Sequence, residues 1–431
     1  MRHFIIIGFV SHFIFLNQKI SAQESYENIR IPLAKSNYTY SGCEPSIAID
    51  ELNPERLVAG SVLDGYHYST DGGKSWKSEQ LKSKFGVFGD PVMKIDSKGR
   101  IYYFHLASYE KTSHLDRIVC QFSDKIDGTF SIGSFPSPNG SKVQDKHWIT
   151  IHPETNHLFM TWTQFDAYDS PNPKDSSFIM FSKSTDQGLT WSTPKRISKY
   201  GGDCLDGDNT VEGAVPAFGK DNALVVTWTG PRGLMMQRSL DEGKTWLSEE
   251  RKIIDHPGGW DIKVPGFYRA NGLPFLVSDQ SGGTRNGTLY LNWADQRNGE
   301  NDTDIFLMFS IDNGEHWQGP IQVNKKTRET HQFLTCITVD QSNGDLHFVY
   351  YDRSKYEPGS LKTDVIWTVS KDGGISFNET TISTSPFQPH GSKFFGDYLG
   401  IAAHNGTVRP IWPRMDQGRI TLWTALINMA D

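Results

Sequence analysis

Apolar residues along this chain recur at the period of a β-strand, and no stretch of useful length repeats at the period of a helix. Short alternating or continuous apolar runs are spaced along the whole sequence: Ile101–His105, Leu158–Trp162, Ala223–Trp228, Thr288–Trp293, Leu346–Tyr350 and Val408–Trp412. Gly, Asn, Asp and Ser separate them, as expected of strands joined by tight turns. Each run follows another short run, and these begin near Glu44, Asp90, Asp145, Glu212, Ala270, Gln332 and Asp397. The result is seven units of similar length with room for four strands each. The last unit ends with Ile420–Ile427, one strand short, while Asn28–Leu33 offers a strand that no unit claims. The pairing of these two ends predicts a closed ring without open sheet edges.

A second pattern marks the same units. Ser69-Thr70-Asp71-Gly72-Gly73-Lys74-Ser75-Trp76 recurs in kind from Ser184 to Trp191, Ser239 to Trp246, Ser310 to Trp317 and Ser370 to Phe377. Ser123 to Phe130 reads as a decayed copy. The pattern S-x-D-x-G-x-[ST]-[WF] suits a hairpin turn: Asp folds its carboxylate onto nearby amides and Gly supplies a positive φ. The closing aromatic then packs the turn onto the next sheet. Repetition at this spacing indicates a repeat architecture and assigns the box residues a structural role.

These boxes and their rhythm resemble the Asp boxes of the sialidase superfamily. That resemblance implies an all-β β-propeller of four-stranded antiparallel blades, with seven blades favoured by the count and six, the usual sialidase number, as the alternative. A single domain over residues 23–431 is expected, because a closed repeat ring escapes the usual limit on domain length. Met1–Ala22, with Arg2 and His3 ahead of an apolar stretch and Ser21-Ala22 at its end, has the form of a signal peptide. Export to the periplasm, the cell surface or the medium follows from it. No later segment is apolar enough for a membrane span.

The net charge of −7 argues against nucleic acid as a partner. The aromatic load of 12 Trp, 16 Tyr and 25 Phe suits both β-structure and sugar recognition. Cys43, Cys120, Cys204 and Cys336 form no C-x-x-C pair, so a zinc ribbon is disfavoured, while disulfides and free thiols both stay open. The loop Asp295–Asp304 is dense in oxygen ligands and is the one candidate for Ca²⁺, although its spacing is not that of an EF-hand. No other metal or cofactor is expected. Asn-x-Ser/Thr sequons occur at Asn37, Asn139, Asn286, Asn301, Asn378 and Asn405.

In a propeller the innermost strands enter the central channel in one direction, so residues that open those strands converge. Here they are Glu44, Asp90, Asp145 with Lys146 and His147, Glu212, Tyr268 with Arg269, Gln332, and Asp397 with Tyr398. Acid, base, imidazole and indole stand together in Asp145-Lys146-His147-Trp148; His147 suits acid–base work and Trp148 suits stacking on a sugar. An acid at a strand start also has a purely structural use, bonding amides of the neighbouring blade. Asp90, Asp145, His147, Glu212 and Tyr398 are the catalytic candidates; Glu44, Lys146, Trp148, Tyr268, Arg269 and Asp397 are the substrate-binding ones.

The resemblance further implies three arginines clamping a substrate carboxylate, a Tyr nucleophile with a Glu, and an Asp acid. Tyr398 and Glu212 match the Tyr and Glu by type. Arg30 in Arg30-Ile31-Pro32, Arg232, Arg269, Arg297, Arg353 and Arg414 are the arginine candidates. An exported glycoside hydrolase acting on an acidic glycan, as a monomer, is the first expectation. A polysaccharide lyase using His105, His147, Tyr268 and Arg269 is the second, and a non-catalytic glycan- or protein-binding propeller the third.

Overall fold

The computed structural model describes residues 26–34, 39–108, 110, 114–326 and 329–429. The expected signal peptide and the sequon at Asn37 lie outside them. Six sheets follow the chain in order, each antiparallel with its first strand innermost. Blade one comprises Ser46–Ile49, Leu57–Ser61, Gly65–Ser69 and Lys77–Gln80. Blade two has three strands, Val92–Ile95, Ile101–Ala107 and Arg117–Ser123. Blades three to six begin at Val143–Ile151, Glu212–Phe218, Phe275–Ser278 and Gln332–Asp340, each with four strands.

Blade seven begins at Gly400–His404 and is completed by the N-terminus, because Asn28–Ile31 pairs antiparallel with Arg419–Ala425. Inner strands of consecutive blades touch all round the ring, including blade seven against blade one. The fold is a seven-bladed β-propeller. Among the described residues the one helical element is a single 3₁₀ turn, Lys220–Asn222, and no helix is long and apolar enough to cross a membrane.

The core lies between blades, where apolar faces of successive sheets meet. Ile31, Leu57, Trp76, Ile411 and Leu422 form one such cluster between blades seven and one. Arg409 of blade seven crosses the same seam, donating from Nε to the Gly72 carbonyl at 2.6 Å and from Nη1 to the Ile427 carbonyl at 2.7 Å.

All five full boxes close alike. In the second, Asp186 accepts from Ser184 Oγ at 2.8 Å, from the Thr190 amide at 2.9 Å and from Thr190 Oγ1 at 2.5 Å. The box glycine is required by close approach as well as by its φ: a Cβ on Gly243 would sit 2.3 Å from the Phe181 ring. Trp246 meets that ring edge-on at 5.0 Å, and Trp191 meets Phe104 at 6.1 Å. The box aromatic therefore reaches the preceding blade, where the following one was expected. In the decayed copy, Ser123 exchanges bonds with the Lys125 backbone, and an isolated bridge of Cys120 with Ser134 stands in for blade two's fourth strand. The four cysteines are free and buried.

The expected start of blade five at Ala270 is corrected. Ala270–Asn271 pairs with Asp261–Ile262 in a separate two-stranded ribbon, and the inner strand is Phe275–Ser278. The two glycines at 272 and 282, together with Pro274, fragment the apolar run there and obscure which piece belongs to the sheet. In the Asp295–Asp304 loop, Asp295 accepts from Trp293 and Arg297, while Asp304 accepts from Asn298, Gln322 and Asn324. Among the described residues no group of three or more His, Cys, Asp or Glu is disposed to hold a metal ion.

Two outcomes follow from this closure. Asp186→Ala should lower unfolding free energy by about 1–2 kcal/mol through lost turn hydrogen bonds, measured by denaturant titration, with ligand binding unchanged. Ile31→Ala, which empties a fully buried site in the closing strand, should cost about 2–4 kcal/mol. A near-neutral Ile31→Ala would show that the ring does not depend on its borrowed strand.

Candidate functional site

The inner strands of five blades enter the ring through a residue held at positive φ: Glu44 at 50°, Asp90 at 50°, Lys146 at 48°, Gly213 at 69° and Leu334 at 50°. A left-handed residue at this point kinks the strand and breaks its alternation. In blade three the consequence is visible in the register. Trp148 faces Thr161 and Asp145 faces Thr163, so the Lys146–His147 pair bulges opposite Trp162. Consecutive residues thereby point to different surroundings, and Asp145 and Lys146 both reach the mouth.

That mouth is a cavity of about 680 Å³, a size typical of small-molecule sites. Glu44, Asp90, Asp145, Lys146, Arg269 and Asp397 line its floor, from blades one, two, three and seven and the ribbon before blade five. Val62, Leu63, Phe88, Leu106, Leu115 and Val143 form apolar walls. Tyr40 and Phe394 line the rim with their rings edge-on at 5.8 Å, and Tyr268 continues from Phe394 at 6.1 Å.

One ion-pair node organises the floor. Arg269 grips Asp397 through both Nε, at 2.8 Å, and Nη2, and its Nη1 reaches Asp206 at 2.8 Å. Lys146 Nζ stands 2.8 Å from Asp397 as well, and the Asp397 carbonyl accepts from Asn271 Nδ2 at 2.6 Å. Burial opposes charge on Asp397, but Lys146 and Arg269 outweigh it and hold the carboxyl well below the usual range. The node therefore favours the ionised form of Asp397.

The other acids respond in the opposite direction. Burial, offset by Lys146 but reinforced by Asp90 and Asp206, pushes Asp145 up to about 7. Glu44 is raised by burial, then by Asp90 and Asp397; Glu212 is raised by burial, then by Asp206. Asp90 is raised by burial against the pull of Lys146, with Glu44 and the Tyr398 hydroxyl beside it. Neither oxygen of Glu212, nor Oδ2 of Asp90, has a hydrogen-bond partner.

The structure thus gathers Glu44, Asp90, Asp145, Lys146, Glu212, Arg269 and Asp397 into one charged group at the mouth, while three expected site residues sit elsewhere. His147 is buried toward blade two, where burial and then His105 depress it to about 3; it lines neither cavity and has no proton to give near neutral pH. Trp148 packs edge-on against Phe275 and Tyr398 and lines the cavity at the opposite end of the channel, so it offers no stacking face to the mouth. Tyr398 is buried beneath Asp90 rather than exposed on the floor, and burial with Asp90 and Glu44 raises its hydroxyl well above normal. His105 is likewise interior, bonded to the Leu106 carbonyl and Gln121.

The arginine clamp is not assembled either. Arg297 is folded onto Asp295, Arg414 pairs with Asp416, Arg232 reaches Glu250, and Arg353 donates to Thr363 and the Pro265 carbonyl. Arg30 lies in the closing strand of blade seven. Gln332 donates to Asp352 of its own blade and accepts from Asn324, which follows the outer strand of blade five.

Sequence reasoning missed Asp206, Tyr168, Tyr40 and Phe394. Tyr168 donates to Asp206 at 2.7 Å and lines the cavity. Asp206 and Tyr168 come from connecting loops, where no strand period marks them. The signal available was composition: Gly201–Asn209 is dense in Gly and Asp directly before the Glu212 strand.

Residues 67–78 match the BNR/Asp-box repeat family. A protein of unknown function from Dyadobacter fermentans superposes with a TM-score of 0.52 at 11% identity, over 94% of this chain and 99% of that one. The NanB sialidase of Streptococcus pneumoniae gives 0.51 at 10% identity, over 86% and 83%. An ulvan lyase gives 0.51 at 13% identity, over 91% and 96%. No curated protein sequence matches significantly. The chain is an Asp-box β-propeller of sialidase-like fold, and at these identities the likeness is one of fold.

The node carries a direct test. Asp397→Asn should leave Lys146 without its anion and Arg269 with Asp206 alone, and cost about 3 kcal/mol in denaturant unfolding. A loss under about 1 kcal/mol would mean that Asp145 or Asp90 ionises to replace it.

Proposed function

We propose that this chain is an exported glycoside hydrolase whose active site is the cavity at the channel mouth. The observation that carries the reading is the separation of two neighbouring carboxyl environments: Asp145 titrates at about 7 while Asp397 is held ionised. Carboxyls pushed apart in this way divide the roles of acid and anion. Asp145, protonated below about pH 7, is placed to protonate a departing glycosidic oxygen. Asp90 and Glu44 adjoin and are coupled, Asp90 raising Glu44 while the Glu44 hydrogen bond pulls Asp90 down, so the pair shares protons and its ionised member, more readily Asp90, serves as the base that activates water. Lys146, Arg269 and Asp397 are positioning residues that fix the floor's charge.

Glycan-active enzymes of sialidase and lyase type occur on this fold, which supports carbohydrate as the ligand class. The leader-like Met1–Ala22 supports export. The balance of the floor disfavours an acidic sugar there, since Lys146 and Arg269 are already committed to Asp397 and Asp206. Abstraction of a proton next to a uronate, as in a lyase, needs a free cation and an accessible base of His or Tyr type. His105, His147 and Tyr398 are buried off the cavity, and although Tyr40, His114 and Tyr168 line it, Lys146 and Arg269 are already paired there, so hydrolysis is favoured over elimination.

Incubation with a panel of neutral, basic and acidic oligosaccharides should release reducing ends without the ultraviolet absorbance of a new carbon–carbon double bond. Asp145→Asn should lower kcat by about 10²–10⁴-fold with KM little changed, the range for a lost general acid. Because Asp145 acts protonated while the Asp90–Glu44 pair must keep one ionised member, wild-type rate should fall as pH rises through about 7 and fall again on the acid side as that pair takes up its last proton. Unsaturated products, or an Asp145→Asn enzyme of normal rate, would refute the reading.

A further inference from the structure

The mouth collects far more negative than positive groups, and the positive ones are spent. Glu44, Asp90 and Asp145 line the cavity without an ion pair, whereas Lys146 and Arg269 face the shared carboxylate Asp397. Asp166, also on the wall, is paired with Lys142 at 2.5 Å. Asp90 is 7% exposed, lines the cavity, and leaves Oδ2 without a partner; Glu212, fully buried behind the floor, leaves both oxygens without one. A buried carboxyl oxygen left without a hydrogen-bond partner is costly to keep, and on Asp90, beside the cavity, it indicates a partner that arrives with the ligand.

The rim supplies the complementary half. Tyr268, 56% exposed, stands against Phe394, which stands against Tyr40, giving a wall of three rings above the acids. Aromatic faces stack on the C–H face of a sugar and also attract a cation through their quadrupole. A bare metal ion is a poor occupant, since among the described residues no three His, Cys, Asp or Glu are disposed to hold one. An organic cation with an apolar face fits both halves.

We infer that the glycan unit seated in this cleft is an amino sugar with a free, unacylated ammonium group, directed at Glu44 and Asp90 with its ring against Tyr40, Phe394 and Tyr268. This assignment rests on the reading of the mouth as a glycan cleft. It reverses the charge that the fold's likeness to sialidases suggests. The ammonium replaces a proton held by the Glu44–Asp90 pair, so binding releases about one proton while Asp145 keeps its own. The groups facing the floor carboxyls Glu44, Asp90 and Asp145 are Lys146 and Asp397 from their own strands, Arg269 from the ribbon, Asp206 and Tyr168 from the loops, Glu212 from blade four, and Tyr398 from blade seven; His114 is on the wall.

The experiment is calorimetric titration of the full chain at about pH 6 in two buffers of different ionisation enthalpy. The probes are glucosamine tetramer, N-acetylglucosamine tetramer and galacturonate tetramer. Glucosamine tetramer should bind at least about tenfold more tightly than the acetylated one and release about one proton, with galacturonate tetramer the weakest. Asp90→Asn should erase most of the preference for the free amine, while Tyr268→Ala, an exposed position, should weaken both glucosamine oligomers alike. If Asp90→Asn does not fold, the wild type's preference and proton release decide.

Equal or tighter binding of the acetylated or uronate oligomer overturns the assignment, as does binding of none of the three. Turnover of any glycan without preference for the amine would overturn the assignment and leave hydrolysis standing. Tight binding of the amine with proton release, but no turnover of any glycan, would support the assignment and remove hydrolysis.

Discussion

A closed ring forces every inner strand to enter the axis from the same face, and the chemistry of this molecule depends on that constraint. Seven sheets cannot close unless each buries both faces against neighbours, and the last sheet here is completed only by Asn28–Ile31. With the ring shut, the first residue of each inner strand has no choice of direction. Acids far apart in sequence, from Glu44 to Asp397, are brought to one mouth. The Asp boxes serve the same end from outside, tying each blade to its predecessor through an aromatic such as Trp246 on Phe181.

Convergence has an electrostatic cost, since six carboxyls gathered in a buried mouth repel one another and are stripped of water. The molecule meets it in two ways. Arg269 and Lys146 neutralise Asp397, and Arg269 extends to Asp206. The remaining acids hold protons more tightly than free carboxyls do, as burial shifts Glu44, Asp90, Asp145 and Glu212 upward. The node is thus more than a stabilising contact. By fixing one anion it creates the contrast between ionised and protonated carboxyls that acid–base chemistry uses.

The ring was legible in the sequence because its signals are local and repeated: strand period, the box with its Ser-x-Asp-x-Gly spacing, and an unpaired run at each end. The floor acids were legible for the same reason, each standing at the start of an inner strand. What escaped was whatever the kink at Lys146 decides. Alternation places His147 and Trp148 by counting, but a left-handed residue shifts the count, sending His147 inward and Trp148 to the other end of the channel. Loop residues such as Asp206 and Tyr168 carry no period at all. Arg269 was found, but at the head of a strand that belongs to a ribbon, and its partner Asp206 lies 63 residues away.

Ligand charge is where fold and site part company. A sialidase-like propeller invites the expectation of cations waiting for a carboxylate, and the arginines that could have answered it are engaged elsewhere: Arg297 with Asp295, Arg414 with Asp416, Arg232 with Glu250. The guanidinium that does reach the mouth is bound twice over, so a substrate carboxylate would have to displace Asp397 or Asp206 and leave a buried anion behind. A cationic ligand meets no such penalty, because the carboxyls it approaches hold protons they can give up. The same scaffold that brings acids together therefore sets the sign of what it can admit, through nothing more than which cations its loops have already spent.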